Sequence, residues 1–140
     1  MDKTIISKMG IKEFSRSYFQ NVPDGFIGMM NSLNLDIPEG LSDEFDYIHL
    51  FTISEAQLMQ SLNELKPHIS KHGSLWVSWP KANQLNTNLN LHKIIKIIYQ
   101  NGLVESKVIS IDNIWSAIKI TLPKKGEIYK NRFGGLKKDS

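Results

Sequence analysis

Apolar positions along the chain fall into blocks whose spacing switches between that of strands and that of helices. Ser17 to Gln20 reads as a short strand that ends at Asn21-Val22-Pro23-Asp24-Gly25, a turn by composition. Ile27, Met29 and Met30 then suggest a short helix within Phe26 to Leu33, and Leu35 to Glu44, with Pro38, Gly40 and several acids, reads as a surface connection. Asp46 to Phe51 is nearly continuous in apolar character, as expected of a strand covered on both faces. Ser54 with Gln57 three residues on is a capping-box signature, and Leu58, Ser61, Leu62 and Leu65 keep helical spacing up to Pro67.

The next block, Gly73-Ser74-Leu75-Trp76-Val77-Ser78-Trp79-Pro80-Lys81, is a strand running into a proline. Alternation sends Leu75, Val77 and Trp79 to one face and Trp76 and Ser78 to the other. The segment Ala82 to Asn90 is a polar loop. Asn90 is placed to cap a helix with Leu91, Ile94, Ile95 and Ile98 on its apolar stripe, and Gly102 to end it. Val104 to Ile109 and Ile114 to Leu122 are two strands joined by Ser110-Ile111-Asp112-Asn113, so short a link that they must pair antiparallel.

The order β-α-β-α-β-α-β-β predicts an α/β fold, a reduced Rossmann-like three-layer sandwich. Its five-stranded sheet is mostly parallel, with one antiparallel C-terminal strand. One such domain is expected over residues 1–123, followed by a basic, flexible tail over 124–140. A chain of 140 residues suits a single domain, and at 41% hydrophobic and 22% charged residues its composition is that of an ordinary globular protein.

Charge changes the picture only at the end of the chain. From Pro123 onward six basic residues face two acidic ones, so the net +3 belongs to the tail and the body is close to neutral. That distribution argues against a folded domain built around a nucleic-acid groove. Cysteine is absent, which removes disulfides, thiol nucleophiles and thiolate metal sites. No apolar run has the length of a membrane span, and Met1 to Gly10 lacks the layout of a signal peptide, so a cytoplasmic location without membrane contact is expected.

Asp46 to Phe51, Leu65-Lys66-Pro67 and Gly73-Ser74-Leu75-Trp76-Val77 together are similar to the second half of the class I methyltransferase fold. Asn21 to Phe26, Leu75 to Lys81, Gly102 to Val108 and Ile111 to Ser116 resemble, more closely, a small bacterial family catalogued as domain of unknown function 3052. That resemblance covers roughly Lys8 to Pro123. It implies a methyltransferase-like fold and a strand order 1-2-3-5-4, and brings no established reaction with it.

The chain departs from the methyltransferase pattern where the cofactor would bind. Those enzymes hold S-adenosylmethionine with a glycine-rich loop after the first strand and an acidic residue ending the second. Here Pro23 stands in that loop, and Gly25 and Gly28 do not make a Gly-x-Gly pattern. Only about 25 residues separate the first strand from Asp46, too few for two further strand-helix units, so the second strand and its acid are expected to be missing.

Ligands of open parallel sheets bind outside the carboxyl ends of the strands. Asn21, Trp79, Lys81, Asp112, Trp115 and Ser116 are the residues predicted at that rim, an aromatic wall with one cation and one carboxylate. Each also has a purely structural role open to it: core packing for the tryptophans, a turn for Asp112 and solvation for Lys81. His68 and His72 have metal-ligand spacing, but Pro67 interrupts their helix and no third ligand lies near, so no metal site is expected. His49, mid-strand, is expected to be a hydrogen-bonded core residue. No serine sits in a nucleophile elbow and no Walker-type loop is present, so no catalytic residue is named.

The leading expectation from sequence is a non-catalytic domain, without a cofactor, that binds a small molecule or a protein partner after losing its cofactor loop. The alternatives are a divergent S-adenosylmethionine-dependent transferase and nucleic-acid association through the basic tail.

Overall fold

The computed structural model describes residues 3–30, 33–124, 129–131 and 134–136. Helix α1 (Lys3–Met9) precedes strand β1 (Ser17–Gln20), helix α2 (Phe26–Met29), β2 (Phe45–Phe51), α3 (Glu55–Leu65), β3 (Ile69–Pro80), α4 (Leu91–Gln100), β4 (Val104–Ser110) and β5 (Trp115–Thr121). The sheet order is β1-β2-β3-β5-β4, with β1, β2 and β3 parallel and β5 antiparallel to both of its neighbours.

Local chemistry places the helices as the sequence reading expects. Ser54 accepts a hydrogen bond from the Gln57 backbone, and the Gln57 side chain accepts from Ile53 N at 3.0 Å, so the orphan donors at the start of α3 are satisfied. Asn90 Oδ1 accepts from Lys93 N at 2.9 Å to open α4. Gly102, at φ 72°, ends it in the left-handed conformation that a Cβ disfavours. Helix α1, which the hydrophobic pattern did not reveal, ends in the same way at Gly10 with φ 67°.

The sheet separates two apolar layers. On one side α3 and α4 pack Leu58, Leu62, Leu65, Ile94 and Ile98 against Ile48, Leu50, Leu75, Val77 and Trp79. On the other, Met9, Phe26 and Met30 cover Tyr47, Phe51, Trp76 and Ala117. The three-layer sandwich agrees with the pattern read from sequence, and the strand order with what the resemblance to methyltransferases implies.

One feature differs from that reading. Residues 34–36 are not simply a surface connection: they lie along the outer side of β1. Asp36 N donates to Ser15 O at 3.0 Å and Ser17 N donates to Asp36 O at 2.8 Å, a parallel bridge opposite Arg16. The tail, expected to be flexible from residue 124, falls largely outside the described residues, but within it β6 (Tyr129–Asn131) and β7 (Gly134–Leu136) pair as an antiparallel ribbon. Among the described residues no helix is long and apolar enough to cross a membrane.

Candidate functional site

The path of the chain around β1 locates the crevice. After β1, Val22, Phe26, Met30, Leu33 and Leu35 pack in the layer of α1 and α2, and the chain then meets the outer side of β1 at Asp36. On its way back to β2 it contributes Leu41 to the opposite layer. The chain therefore winds outward over one face and returns over the other. In open α/β sheets such a reversal is where ligands bind, outside the carboxyl ends of the two strands that flank it, which makes the ends of β1 and β2 the candidate crevice.

The backbone of that crevice is shaped by two left-handed residues, Asn21 at φ 58° and Gly25 at φ 84°. Asn21 and Asp24 are exposed between them, while Phe26 anchors the far end of the loop in the core. Opposite, β2 is followed by Thr52, whose hydroxyl donates to Gln57 Oε1 at 2.8 Å, and by Ile53, which is 42% exposed. Gln20 Nε2 donates to Ser61 Oγ at 3.2 Å and ties the end of β1 to α3.

Asp36 is not placed to serve a ligand in this crevice. It faces Arg16, four residues before the end of β1 at Gln20, which at strand rise is about 13 Å away. Arg16 in turn is a structural clamp: its guanidinium donates to Ser42 O and Glu44 O and lies 4.3 Å from the centre of the Phe45 ring.

The six residues expected at the rim do not form one group. Lys81, Asp112, Trp115 and Ser116 meet at the end of β3 and the β4–β5 hairpin, whereas Asn21 directly follows β1, with β2 between that strand and β3. Lys81 Nζ donates to Ser110 Oγ and to Asp112 O, and Lys81 N donates to Ile114 O at 2.7 Å. Asp112 Oδ1 accepts from Ile114 N and Trp115 N, both at 2.8 Å, which sets the turn. Trp115 stands edge-on to Phe51 with ring centres 4.9 Å apart. Trp79 is only 5% exposed and packs in the α3–α4 layer, on the other side of the sheet from Trp115. These contacts build a locked hairpin, with the charge of Lys81 already engaged.

Beneath the crevice, in the α1–α2 layer, runs a buried polar chain. Tyr47 Oη donates to Met9 Sδ at 3.3 Å and lies 2.8 Å from His49 Nδ1, while His49 Nε2 lies 2.6 Å from Ser78 Oγ. Both ring nitrogens of His49 are therefore hydrogen-bonded inside the core, Nδ1 to the Tyr47 hydroxyl and Nε2 to the Ser78 hydroxyl. Burial holds the His49 pKa down to about 3 and raises that of Tyr47. His49 and Ser78 are both fully buried, so a Ser–His pair of hydrogen-bonding geometry here serves packing rather than an open nucleophile. Among the described residues no group of three or more side chains could hold a metal ion.

No family model and no curated protein matches the chain. Solved structures do. The chain is similar to a TehB-like SAM-dependent methyltransferase from Corynebacterium glutamicum, with 9% identity, a TM-score of 0.63 and 86% of each chain covered. It is similar to the glycopeptide N-methyltransferase MtfA complexed with sinefungin, at 7% identity and a TM-score of 0.63, covering 86% of this chain and 92% of that one. A SAM-dependent methyltransferase from Aquifex aeolicus matches at 12% identity and a TM-score of 0.54, over 84% and 87% of the two chains. The fold is methyltransferase-like. At these identities the likeness establishes architecture alone, and the resemblance to the domain of unknown function 3052 finds no matching family model.

Proposed function

We propose that this chain is a divergent S-adenosylmethionine-dependent transferase whose cofactor site is the crevice between the carboxyl ends of β1 and β2. The observation that carries the reading is the reversal of winding at β1, supported by the likeness to methyltransferases over most of the chain. The finer placement in the domain of unknown function 3052 family is part of the same proposal, resting on Leu75 to Lys81 and Ile111 to Ser116.

The residues present fit the cofactor with one substitution of role. No carboxylate ends a strand beside β1, because Asp36 lies at the amino end. Asp24 is an exposed acid in the loop after β1, and in this reading it takes the ribose hydroxyls. Asn21 and the left-handed backbone at Gly25 let the loop approach the ligand, and the exposed Ile53 side chain offers apolar contact. When bound, S-adenosylmethionine supplies an electrophilic methyl group. The protein's own part is to bind and orient it.

A second reading, a binding domain without chemistry, is favoured by Pro23 in the loop and by the displaced acid. A thermal-midpoint screen of the whole chain with S-adenosylmethionine, S-adenosylhomocysteine, nucleotides and small acids tests the proposal. Ligand at a hundred times its Kd adds about 2.7 kcal/mol, a rise of several degrees. A rise with the first two ligands and transfer of a labelled methyl group to cell extract support the transferase. A rise without transfer, or a rise with a nucleotide or small acid alone, supports the second reading; no rise with the first two ligands overturns the transferase, and no rise with any ligand overturns both.

A further inference from the structure

We infer a second ligand site, at the opposite end of the sheet, for a planar anion of nucleoside-monophosphate size. A cavity of about 460 Å³ opens there between the α1–β1 loop and the sheet, within the range of small-molecule sites. Its lining includes Tyr47, Ser74, Lys119 and Thr121, which alternation places on the α1–α2 face of β2, β3 and β5, and Phe14 from the loop.

The cavity is built by an irregularity in β3. Between the pairs Phe45↔Ile69 and Tyr47↔Ser74, β2 advances two residues and β3 five, so Ser70 to Gly73 bulge outward. Gly73 lies so close to β2 that a Cβ would fall 2.8 Å from Phe45 O and 3.0 Å from Asp46 O. The bulge is thus held tightly against β2.

Phe14 supplies the second observation. It is 72% exposed and adopts φ 65°, a left-handed conformation that is an outlier for an aromatic residue. Its N–H donates to Asn34 O at 2.8 Å, and Ser15 N donates to Lys12 O at 3.2 Å, so the ring is presented from a fixed turn. Strain held in this way by its surroundings clusters at ligand clamps. The face of Phe14 suits a planar ring.

The charge favours an anion. Lys119 rises half-buried from the cavity floor, and Lys12 is on the opposing loop. Of the two acids at the cavity, Asp46 is engaged by Arg16 N at 2.9 Å, leaving Glu13 at the rim. A ring on Phe14 with its phosphate or carboxylate toward Lys119 satisfies both sides of the site.

Calorimetric titration of the full chain with AMP, benzoate and inorganic phosphate tests this, using Lys119→Gln, Phe14→Gly and Asp24→Asn. The expected result is saturable AMP binding weakened at least tenfold by Lys119→Gln and by Phe14→Gly, and unchanged by Asp24→Asn. Phe14→Gly should keep or raise the thermal midpoint, because glycine relieves the positive φ, so its loss of binding cannot come from unfolding. Stronger binding of benzoate than of AMP, weakened by the same two variants, overturns the nucleoside-monophosphate size and assigns the site to a smaller aromatic carboxylate. Phosphate binding alone, no binding of any probe, or AMP binding lost only in Asp24→Asn overturns the proposal. The last outcome would place AMP in the β1–β2 crevice and leave the proposed function standing.

Discussion

His49 Nε2 and Ser78 Oγ lie 2.6 Å apart across the β2–β3 ladder, both wholly out of solvent. The imidazole stacks on Phe51 at 4.6 Å and meets Phe26 edge-on at 4.9 Å, so its surroundings favour the neutral ring. Ser78→Ala would leave His49 Nε2 without its hydrogen-bond partner inside an apolar layer. The expected cost is about 1–3 kcal/mol, measured by chemical denaturation.

The same histidine makes stability depend on acid. Its folded pKa, about 3, lies below the unfolded value of 6.5, so the unfolded chain binds the proton first. The stability contributed by the neutral ring is fully present above about pH 6.5 and is lost as the pH falls toward 3. The slope is about 1.4 kcal/mol per pH unit in that window. Denaturation curves between pH 7 and 5 should show this loss, and His49→Gln should remove most of the slope. An unchanged slope in His49→Gln would assign the acid sensitivity to other groups.

Gly73 is predicted to be the least replaceable residue of the β3 bulge. A Cβ there would meet Ser70 Oγ at 2.5 Å as well as two β2 carbonyls. Gly73→Ala should cost about 1–3 kcal/mol, since backbone rather than a flexible side chain must move. The thermal midpoint checks this, and Ser70→Ala should recover only part of the loss.

The residues at the end of β3 and in the hairpin separate by burial. Trp79→Ala should cost about 3–5 kcal/mol as a core truncation, and Trp115→Ala, half-buried against Phe51, about 2–3 kcal/mol. Lys81→Ala removes two hydrogen bonds that tie β3 to the hairpin and should cost about 1 kcal/mol. Equal midpoints for Trp79→Ala and Lys81→Ala would contradict the placement of Trp79 in the core.

The fold was legible wherever hydrophobic period and caps agree. Ser54 with Gln57, Asn90 and Gly102 mark helix ends by chemistry local to a few residues, and the short Ser110–Asn113 link dictates antiparallel pairing. What was hidden depends on long-range contact. Asn34-Leu35-Asp36 is too short and polar to announce a strand, and becomes an edge only because β1 offers unpaired groups. Trp79 stands at the strand end, where a rim residue is expected, but α3 and α4 reach far enough to enclose it. The cavity beside Phe14 follows from a bulge that period-two alternation does not signal.

The central claim is that the β1–β2 crevice holds S-adenosylmethionine through Asp24. Calorimetric titration of the full chain with S-adenosylhomocysteine, alongside Asp24→Asn and Asp36→Asn, tests it most directly. The account predicts saturable one-to-one binding, weakened at least tenfold by Asp24→Asn, the loss of about 1.4 kcal/mol or more expected for a charge-assisted hydrogen bond, and unchanged by Asp36→Asn. No binding by the folded chain, or binding lost with Asp36 rather than Asp24, would contradict it.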